Sequence, residues 1–276
     1  MLRGDAVTTP LYSEKIEREK EFHNQWARSV RLEELLVRET FEAPTAVENR
    51  YALSQLGDIR GKKILDLGCG AGETSTYLAL QGAEVYACDI AEDFLVVAKS
   101  LGEKYGVKLN LVQADSANLP YPDEFFDGVF ANGVLHHVEL VPTAKELRRV
   151  MKKGARAVFI EPLPYNPVIG VYRRLAEGVR TKDEKPLSFK AIGTIRPYFS
   201  EFGHKEFWFV SLLIFLHFFF MRRWNPSKIR YWKKVIEEGA SYEKMFSRLQ
   251  KCDEFLLRTV PFLNYLCWNT VIRAVK

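Results

Sequence analysis

The middle of the chain alternates short apolar runs with stretches that have helical spacing. The apolar runs end at polar or glycine residues, and they read KKILDLG, AEVYACD, LNLVQAD, FDGVFANG and ARAVFIEP. Strands that are apolar along their whole length and separated by helices are typical of a parallel sheet covered on both faces. The pattern therefore predicts an α/β fold with a doubly wound, Rossmann-like sheet.

Two helical segments illustrate how the boundaries are predicted. Residues 13–40 are heavily charged with apolar residues roughly on one face, which predicts a helix that covers the sheet. Residues 141–153 are also predicted as a helix, because Leu147 and Met151 recur at helical spacing, and Gly154 follows as a stop signal.

Length and composition fit one domain with additions. A chain of 276 residues with 47% hydrophobic and 27% charged residues can bury a full core and falls outside the disordered class. The net charge of +5 is too small to select a partner by itself. We expect a globular α/β domain.

The cysteines and the N-terminus predict a cytoplasmic protein. Cys69, Cys88, Cys252 and Cys267 form no CxxC pair, so we expect reduced thiols and no structural zinc. The first twenty residues lack the apolar core of a signal peptide. A peripheral position at a membrane surface is compatible with both observations.

The strongest chemical signal is the segment ILDLGCGAG, residues 64–72, in which a buried strand runs into a glycine turn that opens a helix. Glycines let the backbone pass close to a ligand and expose amides at the helix N-terminus. Such a turn alone is weak evidence, because NAD-binding domains use a similar G-x-G-x-x-G.

Two acids at the following strand ends narrow the interpretation. Asp89 is placed to accept hydrogen bonds from both hydroxyls of a ribose, which S-adenosylmethionine (SAM) and NAD share. Asp115 is placed to accept from an adenine amino group, with the Ser116 amide next to it. The second acid favours SAM.

Together, DLGCGAG, Asp89, Asp115, LPYPDEFFDGVF and NGVLHHV resemble the class I SAM-dependent methyltransferases, in the group that includes quinone-ring methyltransferases. The resemblance covers roughly residues 60 to 163. It implies a seven-stranded sheet that ends in two antiparallel strands, SAM as cofactor and S-adenosylhomocysteine as product. It also implies the cofactor-binding residues Asp66, Gly68, Cys69, Gly70, Gly72, Asp89, Ile90, Asp115, Ser116, Asn132 and Gly133.

The predicted catalytic residues are His137, His136 and Glu161. Either imidazole could remove a proton from an acceptor hydroxyl, since histidine titrates near neutral pH. The alternative is that one histidine only packs a loop and that transfer proceeds by proximity. Glu161 could recognise the acceptor or cap a neighbouring loop. Methyl transfer needs no metal, and no cluster of metal ligands is visible in the sequence.

The region after residue 206 departs from a plain domain. Residues 207–221 are apolar but shorter than the roughly twenty residues that span a bilayer, and residues 222–251 are basic with interleaved aromatics. One interpretation of residues 207–234 is a surface that contacts a membrane or admits a lipid substrate. The other is a helical cap on the domain or a homodimer contact. Nucleic acid is disfavoured, because no recognition module is present.

These features predict four segments: a helical lid over 1–58, a SAM-binding core over 59–206, a helical insertion over 207–264 and a final strand over 265–276. The predicted function is methyl transfer from SAM to a small, hydrophobic or lipid-like acceptor, with oxygen ahead of carbon and nitrogen as the methylated atom. The alternatives are an RNA methyltransferase, or a SAM- or NAD-binding protein with other chemistry.

Overall fold

A computed structural model describes residues 10–175 and 186–276 of the chain. Seven strands form one sheet in the order β3-β2-β1-β4-β5-β7-β6. The strands are β1 Lys63–Leu67, β2 Glu84–Asp89, β3 Leu109–Gln113, β4 Phe126–Asn132, β5 Met151–Pro162, β6 Glu201–Phe207 and β7 Asn269–Val275. Neighbours among β1–β5 pair in parallel, and β7 is antiparallel to both β5 and β6. The predicted doubly wound α/β fold is confirmed.

Helices cover both faces of this sheet and its carboxyl edge. They are α1 Pro10–Arg28, α2 Glu39–Glu42, α3 Val47–Leu56, α4 Glu73–Leu80, α5 Glu92–Lys104, α6 Leu140–Val150, α7 Pro167–Leu175, α8 Phe189–Gly193, α9 Leu213–Phe220, α10 Tyr231–Glu237 and α11 Gly239–Thr259. Short 3-10 helices lie at Leu32–Glu34, Arg196–Tyr198, Val210–Leu212 and Pro261–Leu266.

Alternate residues of the central strands pack into two apolar layers, one on each face of the sheet, as expected for a sheet buried on both faces. Leu65 and Leu67 of β1 belong to one layer, and Ile64 belongs to the other. Because β1 lies between β2 and β4, the connections from β1 and β3 leave on opposite sides of the sheet. The crevice that this reversal opens at the carboxyl ends is where ligands bind in such folds.

The predicted helix end after residue 153 is wrong. Helix α6 ends at Val150, and β5 begins at the next residue, so Gly154 lies within a strand. Met151 is fully buried and pairs with Phe126 of β4. Burial of that side chain in the sheet outweighs the helical spacing that the sequence suggested.

The predicted N-terminal helix is also too long. Helix α1 ends at Arg28, where the Ser29 hydroxyl donates to the Trp26 carbonyl. The chain then turns so that Val37 and Phe41 can enter the core under α4. Helix α1 itself lies over α5, joined by an ion pair between Arg28 and Asp93 at 2.7 Å.

Strand β7 lies within the predicted final strand over 265–276, but the strand that the sequence places at KEFWFVSL, residues 205–212, overlaps β6 only up to Phe207, and the apolar run that follows is not a continuation of it. Trp208 adopts a left-handed conformation with φ of 69° and leaves the strand, and its indole is buried. The insertion therefore runs from residue 208 to 268 and contains α9, α10 and α11. Within the described residues, no helix is long and apolar enough to cross a bilayer.

The sequence also predicts a basic helical stretch around residues 172–180, and this stretch falls partly outside the described residues. Helix α7 accounts for its beginning, up to Leu175. Residues 176–180 lie outside them. The four cysteines all lie within the described part, and none forms a disulfide, as predicted.

Candidate active site

A cavity of about 1100 Å³ lies over the carboxyl ends of the central strands. The strand ends and the loops after them form its base, and α1, α7 and α10 contribute to its upper wall. These sequence-predicted residues line it: Asp66, Gly68, Cys69, Gly70, Asp89, Ile90, Asp115, Ser116, Asn132, Gly133, His136, His137 and Glu161. The fold thus brings the predicted cofactor and catalytic residues to one space.

The glycine turn leaves room for a ligand directly against the backbone. Gly68 and Gly70 have φ of 64° and 50°, a region that other residues rarely adopt. A Cβ at Gly70 would meet no atom within 4 Å, so the space beside it is open. A cofactor that packs on the main chain fits this surface.

Gly72 has a packing role that the sequence did not predict. It does not line the cavity. A Cβ at this position would lie 2.7 Å from the Ala98 side chain, and φ is 84°. Gly72 is therefore required for the close packing of α4 on α5, and its cofactor contact stays a prediction.

Asp89 ties the end of β2 to the glycine turn. Its Oδ2 accepts from the Gly70 amide and its Oδ1 from the Ala91 amide, both at 2.9 Å. Each carboxylate oxygen carries two lone pairs, so each can still accept a hydrogen bond from a hydroxyl. The side chain is thereby fixed in an orientation suited to a ribose diol.

Asp66 is a buried carboxyl that would favour a cationic neighbour. Its Oδ2 accepts from the Ser75 hydroxyl, and only 2% of the residue is exposed. Burial raises the pKa of Asp66 to about 7. A cationic amino group in the adjoining cavity would stabilise the ionised form.

Asp115 and Ser116 shape the third strand end. The Asp115 carboxylate accepts from the Ala117 amide at 2.9 Å. The Ser116 hydroxyl lies 2.9 Å from that of Thr143 on α6. Since that hydroxyl is engaged with α6, a contact from Ser116 to an adenine would come from its backbone, as the sequence predicted.

Glu161 organises the loop after β4. It is fully buried, and its Oε1 accepts from the amides of Val134 and Leu135 at 2.9 and 2.7 Å. Its Oε2 lies 2.7 Å from Nδ1 of His136. Glu161 therefore caps the loop and also fixes the His136 ring, which lies 4.1 Å from that of His137 between centroids.

The far end of the cavity is aromatic and contains a buried acid that the sequence analysis missed. Glu48 of α3 accepts from the Trp208 indole at 2.7 Å and from the Asn269 amide at 3.2 Å. Burial raises the pKa of Glu48. Tyr172 and Ile169 of α7 line the same end. This wall suits an apolar molecule with a polar group.

Contacts between the N-terminal segment and the insertion close the cavity above. The Thr45 hydroxyl donates to the Val235 carbonyl at 2.6 Å, and Lys233 lies 3.8 Å from Glu34. Because these contacts join residues from opposite ends of the chain, the upper wall depends on both additions to the sheet.

The central part of this structure matches a known family. Residues 65–159 match the family described as a methyltransferase domain. The chain is 37% identical over 117 residues to demethylmenaquinone methyltransferase of Thermus thermophilus, which covers 41% of this chain and 53% of the relative. It is 30% identical over 163 residues to sterol 24-C-methyltransferase ERG6B of Gibberella zeae, covering 58% of this chain and 40% of the relative.

The fold agrees with this match. A SAM-dependent methyltransferase from Archaeoglobus fulgidus superposes with a TM-score of 0.54 at 20% identity, covering 86% of this chain and 97% of that one. Residues 65–159 thus form a methyltransferase domain, and the sheet around them has the fold of the class I SAM-dependent methyltransferase superfamily. SAM is the cofactor of this superfamily, and the open glycine turn with Asp89 and Asp66 fits it. The chain spans about half the length of the curated relatives it matches.

Two further residues of the cavity, both on α1, also lie outside the matched segment. Glu19 and His23 lie one turn apart on α1, and both line the cavity. Oε2 of Glu19 lies 3.2 Å from Nδ1 of His137 and 3.5 Å from Nε2 of His23. Burial alone would raise the pKa of Glu19, but hydrogen bonds from His137 and His23 hold it well below its usual range.

No cluster of metal-ligating residue types is visible in the sequence, yet the fold brings one together here. The three ligand atoms of Glu19, His23 and His137 lie within 4.8 Å of one another. The Glu-x-x-x-His spacing on a helix was the available signal, because residues four apart share a face. The third member comes from a loop more than a hundred positions away, which spacing cannot reveal.

Proposed function

We propose that this protein transfers a methyl group from SAM to a small apolar acceptor. The observation that carries the proposal is the single cavity that holds the glycine turn and Asp89 at one end and the aromatic wall of Trp208 and Tyr172 at the other. The first end suits the cofactor, and the second suits a hydrophobic acceptor. A continuous space lets the two reacting atoms meet.

When bound, SAM supplies an electrophilic methyl carbon on a sulfonium. The chain's contribution is alignment and the exclusion of water. Asp66 would hold the amino group of SAM and Asp89 its ribose, while the upper wall closes the cavity. His137 or His136 would take the proton that an acceptor hydroxyl loses when its oxygen is methylated.

The orientation of the two histidines supports this assignment. Nδ1 of His136 is held by Glu161, and Nδ1 of His137 lies beside Glu19. A carboxylate beside one ring nitrogen fixes the orientation of the imidazole in the cavity.

The proposed acceptor class is a quinol-like or sterol-like molecule, with oxygen as the first expected methyl acceptor. The names of the relatives point to demethylmenaquinone and sterol substrates. The aromatic lining of the cavity supports an acceptor with an apolar ring system. An RNA acceptor finds no such support.

We further propose that the protein docks on a membrane surface through α9 and α7. Leu213, Leu216, Phe219, Phe220 and Met221 are exposed at the end of the apolar run, and Val168, Val171 and Leu175 are exposed on α7. Tyr172 and Phe215 bring the two helices together, with ring centroids 5.7 Å apart. Exposed apolar patches of this kind mark interaction sites.

The cavity lies directly behind this patch. Ile169 and Tyr172 of α7 line it, and the same helix exposes Val168 and Val171. An acceptor leaving a bilayer would therefore travel only across one helix to reach the site. This arrangement favours a lipid-derived acceptor over a freely dissolved one.

The decisive experiment is isothermal titration of the purified protein with SAM and S-adenosylhomocysteine, with NAD as the control. Micromolar binding of both SAM and its product is expected. Formation of S-adenosylhomocysteine is then assayed with a demethylated naphthoquinol and with a sterol in detergent. Preference for NAD, or no binding of SAM, would overturn the proposal.

A further inference from the structure

The upper wall of the cavity carries a group of nitrogen and oxygen ligands of which the proposed methyl transfer uses only His137, a role that His136 can take when an ion is bound. Glu19 and His23 project from one face of α1, and His137 approaches from the loop after β4. We propose that Glu19, His23 and His137 bind a divalent transition-metal ion, with Zn²⁺ as the ion that best fits the ligands.

The distances between the ligand atoms support a shared ion. Zn²⁺ bonds of 2.0–2.2 Å at tetrahedral angles place neighbouring ligand atoms about 3.4 Å apart. Oε2 of Glu19 lies 3.2 Å from Nδ1 of His137 and 3.5 Å from Nε2 of His23. No two of the three atoms are more than 4.8 Å apart.

The donor set identifies the class of ion. Two imidazoles and one carboxylate suit zinc and its neighbours in the first transition row, whereas Mg²⁺ and Ca²⁺ prefer oxygen ligands. Three protein ligands leave at least one position open, as in catalytic zinc sites. Because all three residues line the cavity, an open position would face the interior of the cavity.

The surroundings of His23 restrict water on one side. The imidazole packs against the rings of Phe22, Trp26 and Phe94, with centroids 5.4, 5.9 and 6.0 Å away. An apolar shell around a metal site lowers the local dielectric and strengthens the bond between ion and ligand. This setting distinguishes the cluster from a pair of charges on the surface.

The chain offers a matched comparison in His204 and Glu206. Nδ1 of His204 lies 2.5 Å from Oε1 of Glu206, and the histidine side chain is 40% exposed. The pair reproduces the contact between a histidine and a carboxylate but lies outside the cavity. The pair serves as the control for metal binding by one histidine and one carboxylate without a third ligand.

A bound ion would act on the acceptor. A cation that contacts an acceptor oxygen lowers the pKa of its hydroxyl and makes oxygen the better nucleophile. This role rests on the proposed function, but binding of the ion does not. The experiment therefore measures binding without SAM or acceptor.

The test uses the full chain, purified without a histidine tag and stripped with a chelator. Zn²⁺ is titrated by calorimetry, and Co²⁺ is added as a visible-absorption probe of tetrahedral coordination. We expect one equivalent of either ion, with affinity lowered about tenfold or more in Glu19→Gln, His23→Gln and His137→Gln. His204→Gln should bind like the wild type.

Thermal unfolding of each variant shows whether it is folded, and His23→Gln is the mildest change because the side chain is partly exposed. The proposal is overturned if the wild type takes up no stoichiometric ion, or if His204→Gln loses as much affinity as folded His23→Gln. SAM titration is run separately. If the wild type binds SAM but takes up no metal ion, only this inference is overturned. If the wild type takes up the ion but does not bind SAM, only the proposed function is overturned.

Discussion

The guanidinium carbon of Arg230 lies 4.1 Å from the centre of the Trp26 indole ring. Trp26 belongs to α1, and Arg230 is the residue that precedes α10. The contact joins the N-terminal segment to the C-terminal insertion, and both residues line the cavity. Closure of the cavity is therefore a property of two additions to the sheet that meet above it.

Replacing Arg230 with Gln should loosen this closure. A cation over an aromatic face contributes about 0.5–2 kcal/mol, so we expect SAM to dissociate about 2- to 30-fold faster. Stopped-flow dissociation of SAM measures the change. Arg248→Gln, at an exposed position on α11, is the control. Equal rates in the two variants would contradict a closing role for Arg230.

The raised pKa of Asp66 predicts that cofactor binding depends on pH. Burial raises this pKa from 3.8 to about 7, so the carboxyl is protonated in weak acid. An amino cation beside it needs the ionised form, and SAM affinity should therefore fall about tenfold for each pH unit below 7. Calorimetry in two buffers should show proton release at pH 6. Asp66→Asn should remove both effects.

The raised pKa of Asp66 also predicts how the free energy of unfolding changes with pH. Between about pH 4 and pH 7 Asp66 is protonated in the folded state and ionised in the unfolded chain. The folded state then binds more protons, so the contribution of Asp66 to stability is lost as the pH rises through this window. Urea unfolding at a series of pH values should show that the free energy of unfolding of the wild type falls relative to that of Asp66→Asn as the pH rises from 4 to 7. A difference between the two proteins that does not change with pH would contradict the raised pKa.

Glu161→Gln should weaken the loop after β4. The buried carboxylate accepts from two amides and holds His136, and an amide side chain cannot satisfy both sides in the same way. We expect the free energy of unfolding to fall by about 1–3 kcal/mol. Glu201→Gln, whose exposed carboxylate pairs with Arg273, should change it by less than about 0.5 kcal/mol. Similar losses would contradict the loop role of Glu161.

The sequence predicted the sheet and the cofactor end of the site because their signals are local. The apolar runs, the turn at Gly68 and Gly70, and Asp89 lie within short segments whose spacing carries the information. It did not predict the end of α1 or the start of β5 at Met151, since burial in the core decides both.

The aromatic end of the cavity, around Glu48 and Trp208, was missed for a different physical reason. Glu48 meets Trp208 and Asn269 across 160 and 221 positions of sequence. Such contacts exist only once the insertion has folded over the N-terminal segment. A lone glutamate on an amphipathic helix is indistinguishable from a solvated one until that packing is known.

The proposed membrane contact predicts that the protein co-sediments with vesicles of phosphatidylcholine and an anionic lipid. Phe220 is 66% exposed at the end of α9, next to the basic Arg222 and Arg223. Insertion of a phenylalanine contributes about 1.5–3 kcal/mol, so Phe220→Ser should lower vesicle affinity about tenfold or more. Phe255→Ser removes a ring that is 67% exposed on α11, and it should bind vesicles like the wild type.

Salt separates the two components of this binding. Attraction between basic residues and anionic lipid is screened as ionic strength rises, whereas burial of Phe220 is not. We therefore expect added salt to weaken binding of the wild type only in part, and to abolish binding of Phe220→Ser. If the wild type stays in the supernatant at low salt, α9 does not dock on membranes. A wild type that is then dimeric, with a monomeric Phe220→Ser variant, would assign the same apolar surface to contact between two copies of the chain.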